Sequence, residues 1–249
     1  MGAETKSIAM THILDQIITH LLLPVLLLQG IWVRLRTPRL PDASGPRSGA
    51  VDGYGDPLDL IVLGESPVAG IGAPTHEFAV TGRTAFALAR LTDRNVRWHV
   101  FGLSGATARR TLRDLVPELA GKSADAVIIA LGVNDVISWA GVSQWTKDIE
   151  QLISGVRQHL NNSLIILTGV PPMQYFPALP QPLKHVLGRR AKLLDRASAD
   201  LAAVLPRVIH VSSDFELDKE FFCADGFHPS ELGYAEWGER LAEVILTFL

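Results

Sequence analysis

From residue 51 onward, short continuous apolar runs alternate with longer stretches of helical spacing. The runs LDLIVLG (58–64), VRWHVFG (96–102), ADAVIIALG (124–132), SLIILTGV (163–170) and RVIHVSS (207–213) are rich in β-branched residues and bounded by Gly, Asp or Ser. Their length and lack of polar alternation predict strands covered on both faces, as in parallel sheets. Between and after them, residues 81–93, 107–121, 143–160, 183–205 and 231–249 carry the periodicity of amphipathic helices. Strand-helix repetition of this kind predicts an α/β fold, a three-layer α/β/α sandwich with a five-stranded parallel sheet joined by right-handed crossovers. No internal repeat is present beyond that alternation.

The amino-terminal part breaks the pattern. IITHLLLPVLLLQGIWV, residues 17–33, is apolar apart from Thr19, His20 and Gln29, and the RLRTPRLPDASGPRSG that follows is basic and then rich in Pro, Gly and Ser. Residues 1–48 therefore read as a hydrophobic helix and linker, and 49–249 as one catalytic-sized domain. A cleaved signal peptide needs a basic start and a small-residue cleavage site, whereas this run ends in Trp32-Val33-Arg34. Three readings stay open for residues 13–33: a marginal membrane span, a helix lying on a membrane surface, or a helix packed on the protein itself. Arg34, Arg36 and Arg39 directly follow the run, so a membrane-associated helix would hold the domain on the cytoplasmic side.

Composition narrows the function. The chain has 249 residues, 47% of them apolar, and a formal charge of −3, with no basic stripe of the kind nucleic-acid binding requires. A single cysteine, Cys223, excludes an internal disulfide framework and a cysteine-rich zinc site. Nothing in the sequence assigns an oligomeric state.

Chemistry gathers at the strand ends. The first strand runs into Gly64-Glu65-Ser66, the second into Gly102-Leu103-Ser104-Gly105, and the third into Gly132-Val133-Asn134-Asp135. All three would open on the same edge of a parallel sheet, where such folds place their ligands. Near the carboxyl terminus, Asp225 and His228 stand three residues apart immediately before the last helix. That spacing lets one loop present an imidazole together with a carboxylate that fixes its tautomer.

These four segments, in this order, resemble the SGNH (GDSL-like) hydrolase family, from about Leu58 to the end of the chain. The resemblance implies the family's flavodoxin-like sandwich and a serine ester hydrolase of the carboxylesterase, lipase or lysophospholipase type, working through an acyl-enzyme intermediate without a metal or other cofactor. It assigns Ser66, Asp225 and His228 to a catalytic triad. The oxyanion hole would be formed by the backbone N–H groups of Ser66 and Gly105 and the side-chain amide of Asn134.

This chain departs from the family pattern in its first block, which reads Gly-Glu-Ser-Pro where Gly-Asp-Ser-Leu is usual. Glu65 is expected either to support the site or to serve as a surface or helix-end carboxylate, and Pro67 removes one backbone donor. Each motif also has a plainer use: Asn134 as a helix or turn cap, Asp225-Gly226 as a turn, His228 as a cap of the last helix. Ser104, in G-L-S-G-A, nearly matches a nucleophile elbow but lacks its last glycine. The other seven histidines have no comparable partner in sequence.

The segment 170–188 carries Met173, Tyr175, Phe176 and Leu179 among five prolines. It is expected to wall the substrate pocket, or else simply to cover the sheet. The apolar loop and amino terminus tilt the expectation toward simple or lipid-like esters, with a small-molecule or lipid substrate. Thioesters and sugar acetates are alternatives. A membrane-tethered binding protein with little turnover would be expected to lack a triad member, and a nucleotide binder would need a phosphate-cradling glycine loop that is absent.

Overall fold

A computed structural model describes residues 22–213 and 218–249. Residues 13–21 of the hydrophobic segment lie outside the described residues. The elements in order are a helix α1 over 22–36, β1 (Ser48–Val51), β2 (Gly55–Gly64), α2 (Val80–Thr92), β3 (Arg94–Gly102), α3 (Ala108–Asp114) and β4 (Ala126–Ala130). There follow α4 (Val133–Ile137), α5 (Val142–His159), β5 (Leu164–Thr168), α6 (Leu183–Val204), β6 (Val208–Val211) and α7 (Glu231–Leu246).

The sheet order is β1-β3-β2-β4-β5-β6. The five strands anticipated from the apolar runs pair in parallel, while β1 adds an antiparallel edge on β3. The sheet thus has six strands, not five. The sixth was illegible because SGAV is four residues long and mostly exposed, so it shows no buried run. It also consumes the end of the expected linker, whose preceding residues are tied to the domain by Ala43 N–H to the Ala69 carbonyl (3.0 Å) and Ser44 N–H to the Pro74 carbonyl (3.1 Å).

Side chains alternate across the sheet to build two cores. Ile61, Leu63, Val127, Ile129, Ile165 and Leu167 face the layer that contains α3, α5 and α6. Leu60, Val62, Ile128 and Ile166 face the layer of α2 and α7. Every residue of β4 and β5 is buried, which explains the absence of polar alternation. The helix expected over 107–121 is broken: α3 ends at Asp114 and a 3-10 turn spans Val116–Leu119, because Pro117 supplies no N–H and crowds the preceding turn.

Helix α1 packs on the domain along one face. Leu26 is buried in the core that holds α5 and α6, and Leu22 and Val33 pack against it. Gln29 acts as a clamp: its Nε2 donates to the Gln181 carbonyl (2.7 Å) and its Oε1 accepts from Leu183 N–H (3.1 Å), one of the unpaired donors that open α6. Among the described residues no helix is long and apolar enough to cross a membrane.

Candidate active site

The carboxyl ends of β2, β3 and β4 and the loop before α7 converge on one edge. At Gly64 a Cβ would stand 2.1 Å from the Ala130 carbonyl oxygen, so only glycine lets β2 run this close to β4 before the turn. The chain then folds tightly: Val68 and Ala69 N–H donate to the Glu65 carbonyl (2.9 and 3.0 Å), and Ile71 N–H donates to the Ser66 carbonyl (3.1 Å). Tyr234 of α7, fully buried, donates its hydroxyl to the Ile71 carbonyl (2.6 Å) and pins this turn from behind.

His228 Nε2 lies 3.1 Å from Ser66 Oγ, and His228 Nδ1 lies 2.6 Å from Asp225 Oδ2. Asp225 Oδ1 accepts from the backbone N–H groups of Phe227 (2.9 Å) and His228 (3.0 Å), which locks the loop. Burial by itself would raise the Asp225 carboxyl. The His228 ring and the two backbone donors outweigh it and hold the group below the usual carboxylate range. With Nδ1–H committed to a carboxylate, Nε2 is the nitrogen left to accept a proton from the Ser66 hydroxyl.

Beside this chain of hydrogen bonds stand unused donors. Among the described residues, neither Ser66 N–H nor Gly105 N–H has a protein acceptor. Gly105 has φ +75°, and a Cβ there would meet open space, so its conformation rather than crowding demands glycine. Asn134, the second residue of α4, is less free. Its Nδ2 donates to Glu65 Oε2 and to the Ala106 carbonyl (3.2 Å).

Glu65 is buried and accepts from Val133 N–H (3.1 Å), Asn134 N–H (3.1 Å) and the Asn134 side chain. Of the two roles open from sequence, this carboxylate therefore caps the start of α4 and orients Asn134. Burial pushes it up to about 8 despite those donors. Asp135 is likewise pushed up to about 7 by burial and accepts from Ala108 N–H (3.1 Å), joining the β4 end to the start of α3. The support from Glu65 was one of two roles open from sequence, whereas that from Asp135 was not anticipated, since a buried carboxylate has no spacing signal of its own.

Other expected residues separate. Ser104 turns its hydroxyl to Asp42 (2.7 Å) and has no histidine partner among the described residues. His210, in contrast to the sequence expectation, does have a carboxylate partner: its Nε2 is 2.9 Å from Asp195 Oδ1, which also accepts from Val170 N–H. The separation of fifteen positions hid that pair, and it clasps the exit of β5 to α6.

Of the four residues expected to wall a pocket, Phe176 and Leu179 line clefts beside His228, and Met173 and Tyr175 do not. Met173 is wholly buried in the core and Tyr175 is exposed, and neither lines the two clefts that reach His228, because the 3-10 turn Met173–Tyr175 points one side chain inward and the other to solvent. Phe176 lines a cleft that starts at Ser66 and His228 and continues past Pro172, Phe222 and Trp237. Phe176 meets the rings of Phe222 and Phe227 edge-on, both at 5.2 Å, so the wall is a rigid aromatic cluster. Leu179 lines a second groove, which also reaches His228. Phe222 and Phe227 were not anticipated, although Phe227 stands inside the Asp-Gly-Phe-His segment.

The fold and this edge define a hydrolase of the three-layer α/β class. Residues 62–236 match the GDSL-like Lipase/Acylhydrolase family, and the chain belongs to it. No curated protein gives a significant sequence match. Among solved structures, TesA is 21% identical with TM-score 0.61, the alignment covering 77% of this chain and 99% of that one. The M. smegmatis aryl esterase is 20% identical with TM-score 0.62, covering 77% and 100%. Est24, a carbohydrate acetylesterase from Sinorhizobium meliloti, is 18% identical with TM-score 0.61, again covering 77% and 100%. At these identities the likeness establishes the shared fold.

Proposed function

We propose that the protein is a serine esterase that cleaves carboxylic esters with an apolar acyl or alcohol part. What carries the reading is the unbroken relay Ser66 Oγ, His228, Asp225 standing beside two unpaired backbone N–H groups. Ser66 Oγ attacks the ester carbonyl carbon while its proton passes to His228 Nε2. The carbonyl oxygen becomes an anion, accepted by the N–H groups of Ser66 and Gly105. The Asn134 amide, steered by Glu65, adds a third donor as its bond to the Ala106 carbonyl yields. Asp225 stabilises the imidazolium. When the carbonyl re-forms, the alcohol leaves with the proton from His228, and a water deprotonated by His228 then releases the acid and restores the Ser66 hydroxyl. No step calls for a metal or cofactor.

The apolar cleft at Ser66 favours apolar esters over sugar acetates, which would call for polar groups along the walls. The test is an organophosphonate: Ser66 should be labelled and activity lost together, and Ser66→Ala should be inactive yet folded. Labelling at Ser104 with Ser66 unmodified would refute the assignment. A panel of esters, thioesters and acetylated sugars fixes the substrate class, and preference for either alternative would replace the simple-ester reading.

We also propose that α1 rests on the inner face of a membrane, with the catalytic domain in the cytoplasm. Val25, Leu28, Trp32 and Leu35 recur at helical spacing on its solvent side and are 43%, 67%, 48% and 80% exposed. Such a stripe, with Arg34, Arg36 and Arg39 around its end, has the form of an interfacial helix.

A further inference from the structure

The face of α1 turned toward the domain is only partly used. Leu26 is buried, but Leu23, Leu27 and Ile31 on the same side are 41%, 58% and 56% exposed. They border a groove of about 760 Å³ whose opposite wall is Leu179, Leu183 and Leu187. Ligand pockets commonly fall in this size range. The groove reaches Phe227 and His228, so it meets the aromatic cleft of Ser66 at the imidazole. Helix α1 lies outside residues 62–236, the part of the chain that matches the family.

An apolar trough that stops in open solvent would be a surface defect. One that ends on the proton-carrying group of a hydrolase is positioned to hold part of the molecule being cleaved. An ester has two arms, and two apolar channels meet at His228. We infer that the groove between α1 and α6 binds a long unbranched alkyl chain of the ester substrate, so that the amino-terminal helix sets chain-length specificity. The inference rests on the serine-esterase reading of Ser66 and His228. Walls of leucine and isoleucine gain from every methylene they cover, and a chain of eight or more carbons would recover much of the exposed surface of Leu23, Leu27 and Ile31. A short acetyl or ethyl group would leave it wet.

Gly30 supplies a clean test, because it borders the groove and a Cβ added to it meets nothing within 4 Å. Gly30→Phe therefore plugs the groove without disturbing the packing of Leu26 or the Gln29 clamp, as an unchanged circular dichroism spectrum and melting temperature should verify. Against p-nitrophenyl decanoate or decyl acetate, kcat/KM of the plugged protein should fall about tenfold or more, equal to losing roughly two buried methylenes. Against p-nitrophenyl acetate and ethyl acetate it should stay within about twofold. A loss confined to the decanoate assigns the groove to the acyl arm, and one confined to decyl acetate assigns it to the alcohol arm. Equal kcat/KM of the parent and Gly30→Phe on both long esters overturns the inference.

Binding gives an answer independent of turnover. In the Ser66→Ala background, p-nitrophenyl decanoate should bind about tenfold more weakly once Gly30→Phe is added, and equal affinity would again refute the groove. Failure of the parent to hydrolyse even p-nitrophenyl acetate would strike the esterase reading itself, a result distinct from loss of length dependence.

Discussion

Glu65 grips Asn134 twice, accepting both its backbone N–H (3.1 Å) and its side-chain amide. One residue before the serine thus orients a group on the other side of the site, across the β2–β4 pair. If this grip matters to the oxyanion, the two residues act as one unit. Asn134→Ala should lower kcat by about a hundredfold to a thousandfold with a smaller change in KM. Glu65→Ala should lower kcat in the same direction, and the double variant should match the worse single within about twofold. Multiplicative losses would show that Glu65 acts elsewhere, and near-parent kcat in Asn134→Ala would leave it a cap of α4.

The Asp225 carboxylate has a separable job. Asp225→Asn can still accept the backbone N–H groups of Phe227 and His228, yet its amide no longer enforces a proton on His228 Nδ1. The loop should keep its shape while kcat falls by on the order of 10⁴. Thermal melts check the fold and steady-state kinetics the loss. A decrease of less than tenfold would show that the tautomer is set by something else.

Stability should depend on pH in a direction set by the two buried carboxyls. Burial raises Glu65 to about 8 and Asp135 to about 7, above the ordinary values of 4.5 and 3.8. Folding therefore favours their protonated forms. The contribution is fully present below about pH 4, and it is lost as pH rises through 7 to 8. The melting temperature should decrease from pH 5.5 to 9, and Asp135→Asn, which keeps an acceptor for Ala108 N–H, should flatten the slope. A parent melting temperature that rises over this interval would contradict the assignment. The depressed Asp225 acts oppositely, withdrawing stability only in acid below its ordinary value of 3.8.

The outward stripe of α1 predicts where the protein sits. Full-length protein should sediment with membranes or with anionic vesicles, and Leu28→Glu with Leu35→Glu should release it without changing turnover of a short ester. Both side chains are exposed, 67% and 80%, so the substitutions disturb no packing. Protease added to intact cells should leave the domain uncut. A freely soluble parent would refute membrane contact, and digestion in intact cells would reverse the orientation.

Much of the site was legible because its chemistry is local in sequence. Asp225 and His228 share one loop, and the parallel topology obliges the ends of β2, β3 and β4 to open on one edge, so Ser66, Gly105 and Asn134 had to be neighbours once the strands were recognised. The apolar runs determined those strands by themselves, since five buried residues in a row, as in β4, can be covered only inside a layered sheet. What the tertiary structure alone decided is whatever depends on distance between segments without a period. The exposed four-residue β1 exists only because β3 offers it an edge. The split of Met173 and Phe176 between core and cleft depends on how one 3-10 turn is set against α6. Glu65 became a support because burial put its longer carboxylate within reach of three donors, and the described part of the amino-terminal run, α1, packs on the domain because Leu26 enters the core and Gln29 reaches the start of α6. Periodicity records which side of an element is apolar. Only packing records which neighbour that side meets.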